Sequence, residues 1–354
     1  MHDNGAMPNP TLTAAIDALA SRRDLSREQA AEVLAQIMHG DVSEIQIAGF
    51  LIALRTKGET VEELAGLAGT MRALAARVPT GRHDLLDTSG TGGGASTFNV
   101  STTAALIAAG AGCAVAKHGN RSATSRSGSA DLLEALGARI DLTPDAVAGC
   151  VAEAGFGFMF APAHHQATRY VVPVRHELAV RTIFNMLGPL TNPAGARRQL
   201  IGVSNPDYME RMAGALARLG VDRALLVSSE DGLDEISATA PTRVVEVNGE
   251  EIERYTLTPA QAGVDPSAAD TVVGGTPDEN AVVTRAILAG GEAPGTELAV
   301  VNAGGAIYAA GGAASIAAGV QAAREAITSG RAGGALERYV DATRRLAPPA
   351  GAVR

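Results

Sequence analysis

Asp87-Thr-Ser-Gly-Thr-Gly-Gly-Gly-Ala-Ser-Thr-Phe-Asn-Val-Ser-Thr102 is the stretch on which the reading of this chain turns. Glycines at 90, 92, 93 and 94 let main-chain N–H groups converge on an anion, because no Cβ blocks the approach. Thr97, Asn99, Ser101 and Thr102 add side-chain donors, and the helix expected to follow presents its positive N-terminal end. A flexible turn is the bland alternative; a strand before the run and a helix after it favour a phosphate loop. The run is not a Walker A loop, since Gly-Lys-Ser/Thr is missing. It is not a dinucleotide fingerprint either, since both the spacing and the later acidic residue are absent. The expected ligand is therefore an anionic, phosphorylated small molecule.

Working outward, Asp84 to Asp87 reads as a short strand entering the loop and Ser101 to Ala109 as an Ala-rich helix. A short strand (Ala114 to Ala116), a polar loop (Lys117 to Ser129) and a helix (Ala130 to Leu136) come next. Ala224 to Ser228 is a buried-strand candidate. Arg243 to Val247 and Glu251 to Leu257 form a hairpin about Asn248-Gly249, a pair suited to a tight turn. Strands alternating with helices predict an α/β fold with a mainly parallel central sheet flanked by helices.

Residues 10 to 78 instead read as helices throughout. Ser26-x-x-Gln29, Ser43-x-x-Gln46 and Thr60-x-x-Glu63 have capping-box spacing. Ile45, Ala48, Gly49, Ile52 and Ala53 share one helical face. This predicts a small all-helical N-terminal domain over 1–79, joined by a helical segment near 174–192, and a large domain over 80–354. The Ala/Gly-rich stretch 303–321 reads as a packed helix.

Composition narrows the function. The chain has 354 residues, is 46% hydrophobic and 3% aromatic, and lacks Trp. Its net charge of −9 argues against nonspecific nucleic-acid binding, which relies on Lys and Arg neutralising phosphates. No apolar run approaches the roughly 20 residues of a membrane span, and the N-terminus has no secretory pattern, so a cytoplasmic location is expected. Cys113 and Cys150 stand singly without metal or redox spacing and read as small core residues. Of 29 basic residues only Lys57 and Lys117 are Lys, a hint that a compact ammonium is needed at these positions.

Three further constellations carry chemistry. Lys117-His-Gly-Asn-Arg-Ser-Ala-Thr-Ser-Arg-Ser-Gly-Ser-Ala-Asp131 gathers three cations, Asn120 and several hydroxyls; it is either a solvated loop or a second wall closing over the same ligand. Asp234-Glu235 suits Mg²⁺, which takes few protein carboxylates and leans on waters and substrate phosphates, although composition alone favours a plain acidic loop. Arg175 and Arg181 sit on a helix ending near Pro189 and Pro193. Either can clamp a carboxylate or serve as a structural ion-pair partner. His164 and His165 lie just upstream, with no spacing for a metal site. No Ser/His/Asp or Cys/His set is evident, so no covalent protein nucleophile is expected.

In order along the chain stand Gly-Thr-Gly-Gly, Thr-Phe-Asn-Val-Ser-Thr, Lys-His-Gly-Asn-Arg-Ser, Ser-Gly-Ser-Ala-Asp, Arg-Thr-Ile-Phe-Asn-Met-Leu-Gly-Pro-Leu-Thr-Asn-Pro and Asp-Glu-Ile-Ser. This set resembles the anthranilate phosphoribosyltransferases. The N-terminal helices and Asn302-Ala-Gly-Gly-Ala-Ile307 extend the likeness over nearly the whole chain.

The resemblance implies transfer of phosphoribose from 5-phosphoribosyl 1-pyrophosphate to the amine of anthranilate, releasing pyrophosphate, in tryptophan biosynthesis. It also implies a homodimer formed through the N-terminal helices. By motif, the sugar pyrophosphate would meet Gly90, Gly93, Gly94, Thr97, Asn99, Ser101, Thr102, Lys117 and Ser129. Anthranilate would meet Gly90, Asn120 and Arg175, with His118 and His165 nearby. Magnesium would be held through Ser101, Asp234 and Glu235. One departure stands out. Many members have Asp-Gly directly after Gly-Thr-Gly-Gly, whereas here Gly94-Ala95 follows and the loop is one residue shorter. The competing readings are a pyrimidine nucleoside phosphorylase, which shares the architecture, and a non-enzymatic relative that binds nucleic acid.

Overall fold

The computed structural model describes residues 7–95, 97–122, 126–266, 273–291 and 293–348. Ser96 of the first loop and residues 123–125 of the second lie outside the described residues. The chain divides into two compact units. One spans Met1–Ala75 with His165–Thr191; the other spans Ala76–His164 with Asn192–Arg354.

The first unit is helical, built from Pro10–Ala20, Arg27–His39, Glu44–Lys57 and Val61–Leu74, with the short helices Val172–Leu178 and Phe184–Leu190. Ser26 and Thr60 form the expected reciprocal capping boxes with Gln29 and Glu63. Ser43 does not. Its hydroxyl accepts from Gln46 N, but the Gln46 side chain turns to the main chain of Asn9, accepting at 3.0 Å and donating at 3.1 Å. The apolar face of the third helix is also corrected. Ile47, Phe50, Leu51 and Leu54 are buried, while Ile45 is 84% exposed and Ile52 38%.

The only other Lys in the chain, Lys57, lies in this unit with its side chain 4% exposed. Its ammonium donates to Asp24 Oδ1 at 2.6 Å, Gly58 O at 2.7 Å and Glu63 Oε2 at 2.9 Å. Three acceptors around one point suit an ammonium rather than a guanidinium fork.

The second unit contains a seven-stranded sheet of order β3-β2-β1-β4-β5-β6-β7. The strands are β1 (Leu86–Gly90), β2 (Val115–Gly119), β3 (Phe156–Phe160), β4 (Arg198–Gly202), β5 (Arg223–Ser229), β6 (Thr242–Asn248) and β7 (Glu251–Leu257). β1 to β5 pair in parallel, and the β6–β7 hairpin adds an antiparallel edge, with Gly249 in its turn at φ +61°. Helices such as Val100–Gly110, buried along nearly its whole length, cover the sheet. β3 and β4 were not anticipated, and Lys117 to Gly119 belong to β2 rather than to a loop. The stretch 303–321 is two helices, Thr296–Ala309 and Ile316–Thr328, not one; Gly311, at φ +76°, lies in the turn between them. Cys150 is buried and Cys113 half-buried. No helix among the described residues is long and apolar enough to cross a membrane.

The chain runs from β1 outward to β2 and β3, then returns to place β4 on the other side of β1. In open parallel sheets such a reversal opens a crevice at the carboxyl ends of the strands, where ligands bind. Here the crevice lies between β1 and β4, whose last residues, Gly90 and Gly202, are partners in register.

Candidate active site

Three segments meet at this switch point. The first is the Gly loop, which leaves β1 at Gly90. Thr91 N donates to Gly202 O at 2.9 Å, and Ser204 binds back through its N–H to Thr91 Oγ1 (3.1 Å) and through its hydroxyl to Gly92 O (2.9 Å). Gly92 and Gly93 take φ of +67° and +87°, a region that favours glycine. Thr102, in the first turn of the next helix, is fully buried, and its hydroxyl has no partner among the described residues.

The second segment is the acidic turn. A Cβ on Gly94 would stand 2.3 Å from Asp234 Oδ1 and 2.9 Å from Asp234 N; one on Gly202 would stand 1.8 Å from Asp234 O. A Cβ on Gly90 would come within 3.3 Å of Asp234 Oδ2. Glycine at 94 and 202 is thus what lets Asp234 lie against the loop. Glu235 Oε1 accepts from Thr97 at 3.4 Å, while its Oε2 is buried without a partner among the described residues. Burial, with the neighbouring Asp234 charge, pushes the Glu235 pKa well above the usual carboxylate range. A buried, unpartnered carboxylate oxygen beside a second carboxylate suits a hard divalent cation. Among the described residues no cluster of three or more His, Cys, Asp or Glu forms a cage, so the remaining ligands would be water and substrate. The turn itself is pinned. Asn302 accepts from Ile236 N (3.0 Å) and donates to Ile236 O (2.9 Å), and Asp231 accepts from the hydroxyls of Ser229 and Ser237.

The third segment is β2 with its loop. Lys117 is 1% exposed, and its ammonium donates to Thr88 O, to Thr88 Oγ1 (3.3 Å) and to Ser101 Oγ (3.2 Å). It lies beneath the Gly loop, not on a solvated loop. His118 is buried, and its N–H donates to Asp87 Oδ1 at 3.0 Å. Asn192 Nδ2 donates to Asp87 Oδ2 and to Ala116 O, both at 2.8 Å. Ser129 opens the next helix, and Asn120 Oδ1 accepts from Arg121 N at 2.7 Å. Arg121 is held by Asp131 and Glu134. Asp87, Thr88, Asn192, Ser204, Gly202 and Asn302 are support residues to which the sequence reading gave no role.

Burial pushes the Asp87 pKa up to about 6, against the opposing effects of Lys117 and the donors, and pushes that of Lys117 down to about 8. A raised carboxyl pKa means that Asp87 contributes stability below its ordinary 3.8, and that this is lost as pH rises through about 6. Asp87→Asn should therefore show a flatter stability profile between about pH 4 and pH 7 in urea unfolding. It should also carry a pH-independent cost of roughly 1–3 kcal/mol, because the new amide sets an N–H against that of His118 or Asn192. Parallel profiles would rule out a titrating Asp87.

Arg175 and His165 belong to the helical unit. Arg175 lies on Val172–Leu178 with its guanidinium 5.5 Å from the Phe184 ring centroid, and burial lowers its pKa. It has no ion-pair partner among the described residues, so the structural ion pair held open for it is not found. The His165 Nε2 stands 3.2 Å from Thr191 O.

A parallel sheet with a glycine-rich loop, an acidic turn and a buried ammonium at its switch point, accompanied by a helical unit, is the make-up of a phosphoribosyl-type glycosyl transferase. Residues 82–333 match the α/β domain of the glycosyl transferase family, and 13–75 match its helical bundle domain. The anthranilate phosphoribosyltransferase of Rubrobacter xylanophilus is 52% identical over 95% of this chain and 98% of its own length. The crystal structure of the Thermus thermophilus enzyme of that name superposes with a TM-score of 0.87 at 46% identity, covering 93% of this chain and 99% of the other. The Saccharomyces cerevisiae enzyme, in complex with PRPP and Mg, gives 0.85 at 27% identity, covering 96% and 99%. The chain belongs to the anthranilate phosphoribosyltransferase family. Its reaction joins the phosphoribosyl group of 5-phosphoribosyl 1-pyrophosphate to anthranilate, and the phosphorylase and nucleic-acid readings fall away.

Proposed function

We propose that the sugar pyrophosphate is received at the β1–β4 switch point by Gly90, Gly93, Gly94, Thr97, Asn99, Ser101, Thr102, Lys117 and Ser129. The observation that carries this is the convergence of glycine main chain, the buried Lys117 ammonium and the Asp234-Glu235 pair on one strand crossing. As the bond from the anomeric carbon to the pyrophosphate oxygen breaks, the anthranilate nitrogen forms its bond to that carbon and then loses a proton. Loop N–H groups and hydroxyls, with the Lys117 charge beneath them, would stabilise the negative charge that builds on the leaving group. The amine is itself nucleophilic, so the work left to the protein is orientation. His118, buried and tied to Asp87 through its main chain, suits positioning better than proton abstraction.

Asp234 and Glu235, with Ser101, are the residues we assign to Mg²⁺, in line with the yeast relative solved with PRPP and Mg. Its chemistry would be neutralisation of charge on the departing pyrophosphate. For anthranilate we assign Gly90, Asn120, His118, Arg175 and His165, with Arg175 pairing the carboxylate. The test follows the loss of anthranilate fluorescence. Arg175→Ala should raise the anthranilate KM at least tenfold and leave the sugar-pyrophosphate KM within about twofold, since a charge-assisted bidentate pair is worth more than about 1.4 kcal/mol. Equal effects on both would remove Arg175 from this role.

We also assign this chain to the cytoplasm, where phosphorylated sugar substrates are held, and to a homodimer. Exposed Ile45 and Ile52, with Ala48 and Gly49 between them, form an apolar stripe along the third helix that supports self-association. Ile45→Glu with Ile52→Glu should turn a dimer into a folded monomer in sedimentation; a monomeric parent chain would overturn the assignment.

A further inference from the structure

Asn99 was expected to act as a donor to the ligand, yet its amide is already oriented by the protein. Its Oδ1 accepts from Ser127 Oγ and from Asn280 Nδ2, both at 2.9 Å, and its Nδ2 donates to Ser127 O at 3.0 Å. Asn280 stands 181 residues away in sequence, on the helix Pro277–Leu288, and is 3% exposed. Its own amide is fixed in turn, because Oδ1 accepts from Gly275 N at 2.9 Å. The polarity of this relay allows one orientation. Gly275 N–H sets Asn280, Asn280 sets Asn99, and Asn99 sets Ser127. Rotating either amide by half a turn would oppose donor to donor or acceptor to acceptor. A second bond from the same helix, Thr284 to Thr103 at 2.9 Å, joins it to the first turn of Val100–Gly110 but lies outside the relay.

We infer that Asn280 is a positioning residue for the sugar-pyrophosphate site, acting through Asn99 to hold the Gly loop and the 126–128 segment in one register. Asn280 need not touch the substrate. It fixes which face of the Asn99 amide carries the second N–H, the one left to donate to an anion. The inference rests on the site reading proposed above.

A double-mutant cycle in the full chain separates positioning from packing. Asn280→Ala should raise the sugar-pyrophosphate KM about tenfold and leave the anthranilate KM within about twofold, the effect of roughly 1.4 kcal/mol in orientation. Asn99→Ala should raise the same KM, and Asn280→Ala added to it should raise it no further. Thr284→Val, which removes the bond to Thr103, should lower the melting temperature without moving that KM. Multiplicative effects in the double variant, or equal movement of both KM values, would overturn the inference and leave Asn280 a packing residue. If Asn99→Ala and Lys117→Met both leave the sugar-pyrophosphate KM unchanged, the site reading itself fails. If they raise it and Asn280→Ala does not, only the relay fails. Should Asn280→Ala not melt cooperatively, Asn280→Ser replaces it in the same cycle.

Discussion

Lys117→Met should lower kcat/KM for the sugar pyrophosphate by about 100- to 1000-fold, the range for loss of one preorganised electrostatic group, while the anthranilate KM should move little. Methionine keeps the length and apolar character of the stem, so the variant removes charge and donors rather than volume. Thr88 O and Ser101 Oγ lose their shared ammonium, and the anion loop loses the positive charge beneath it. Lys117→Arg should fail as well, for a different reason. The slot is fully buried and its acceptors surround a single point, so a planar fork overfills it at a cost of roughly 1–3 kcal/mol. The arginine variant should therefore melt lower than the methionine variant yet recover little activity. Steady-state kinetics with thermal melting check both. A Lys117→Met enzyme within tenfold of the parent would take the ammonium out of the site.

The motifs show which residues matter more clearly than they show where those residues lie. Lys117 was expected on a loop because polar residues follow it without a break. It is instead on β2, in register with Phe158 of β3, a strand whose run Phe-Gly-Phe-Met-Phe is short enough to escape periodicity. The third helix shows a different limit. Glu44–Lys57 carries two apolar stripes at i, i+3, i+4, i+7 spacing, Ile47-Phe50-Leu51-Leu54 and Ile45-Ala48-Gly49-Ile52, and spacing alone cannot choose between them. The core took the stripe with Phe50 and the two leucines, which buries more apolar area. Asp234-Glu235 was visible as an acidic pair, but the three glycines that accommodate it come from two segments, Gly90 and Gly94 from the Gly loop and Gly202 from the end of β4. The roles of Asn192, Asn280 and Asn302 are polar contacts across 66 to 181 residues of sequence, and the motifs that hold Asn192 and Asn302 do not show those partners.

The Gly loop leads to the other large effect. Gly94→Ala should cost about 100-fold in kcat/KM, comparable to removing a transition-state contact, and should shift the Mg²⁺ titration to higher concentration. The new Cβ would lie 2.3 Å from Asp234 Oδ1 and 2.9 Å from its main-chain N, so a rotamer change alone cannot relieve the contact. The main chain has little freedom to retreat. Ala95 N is bonded to Gly232 O at 3.0 Å, and Asn302 grips Ile236 from the other side. Gly92→Ala is the matched control. Its Cβ would meet nothing within 4 Å, so only the cost of φ +67° remains, roughly 1–2 kcal/mol of stability. If the two variants behave alike, loop flexibility rather than Asp234 placement is what glycine supplies. The same geometry bears on the Asp that many family members carry after Gly-Thr-Gly-Gly. On this backbone an Asp at 94 would collide with Asp234 from its Cβ onward. Inserting an Asp after Gly93 should be tolerated better than Gly94→Asp in the same Mg²⁺ titration.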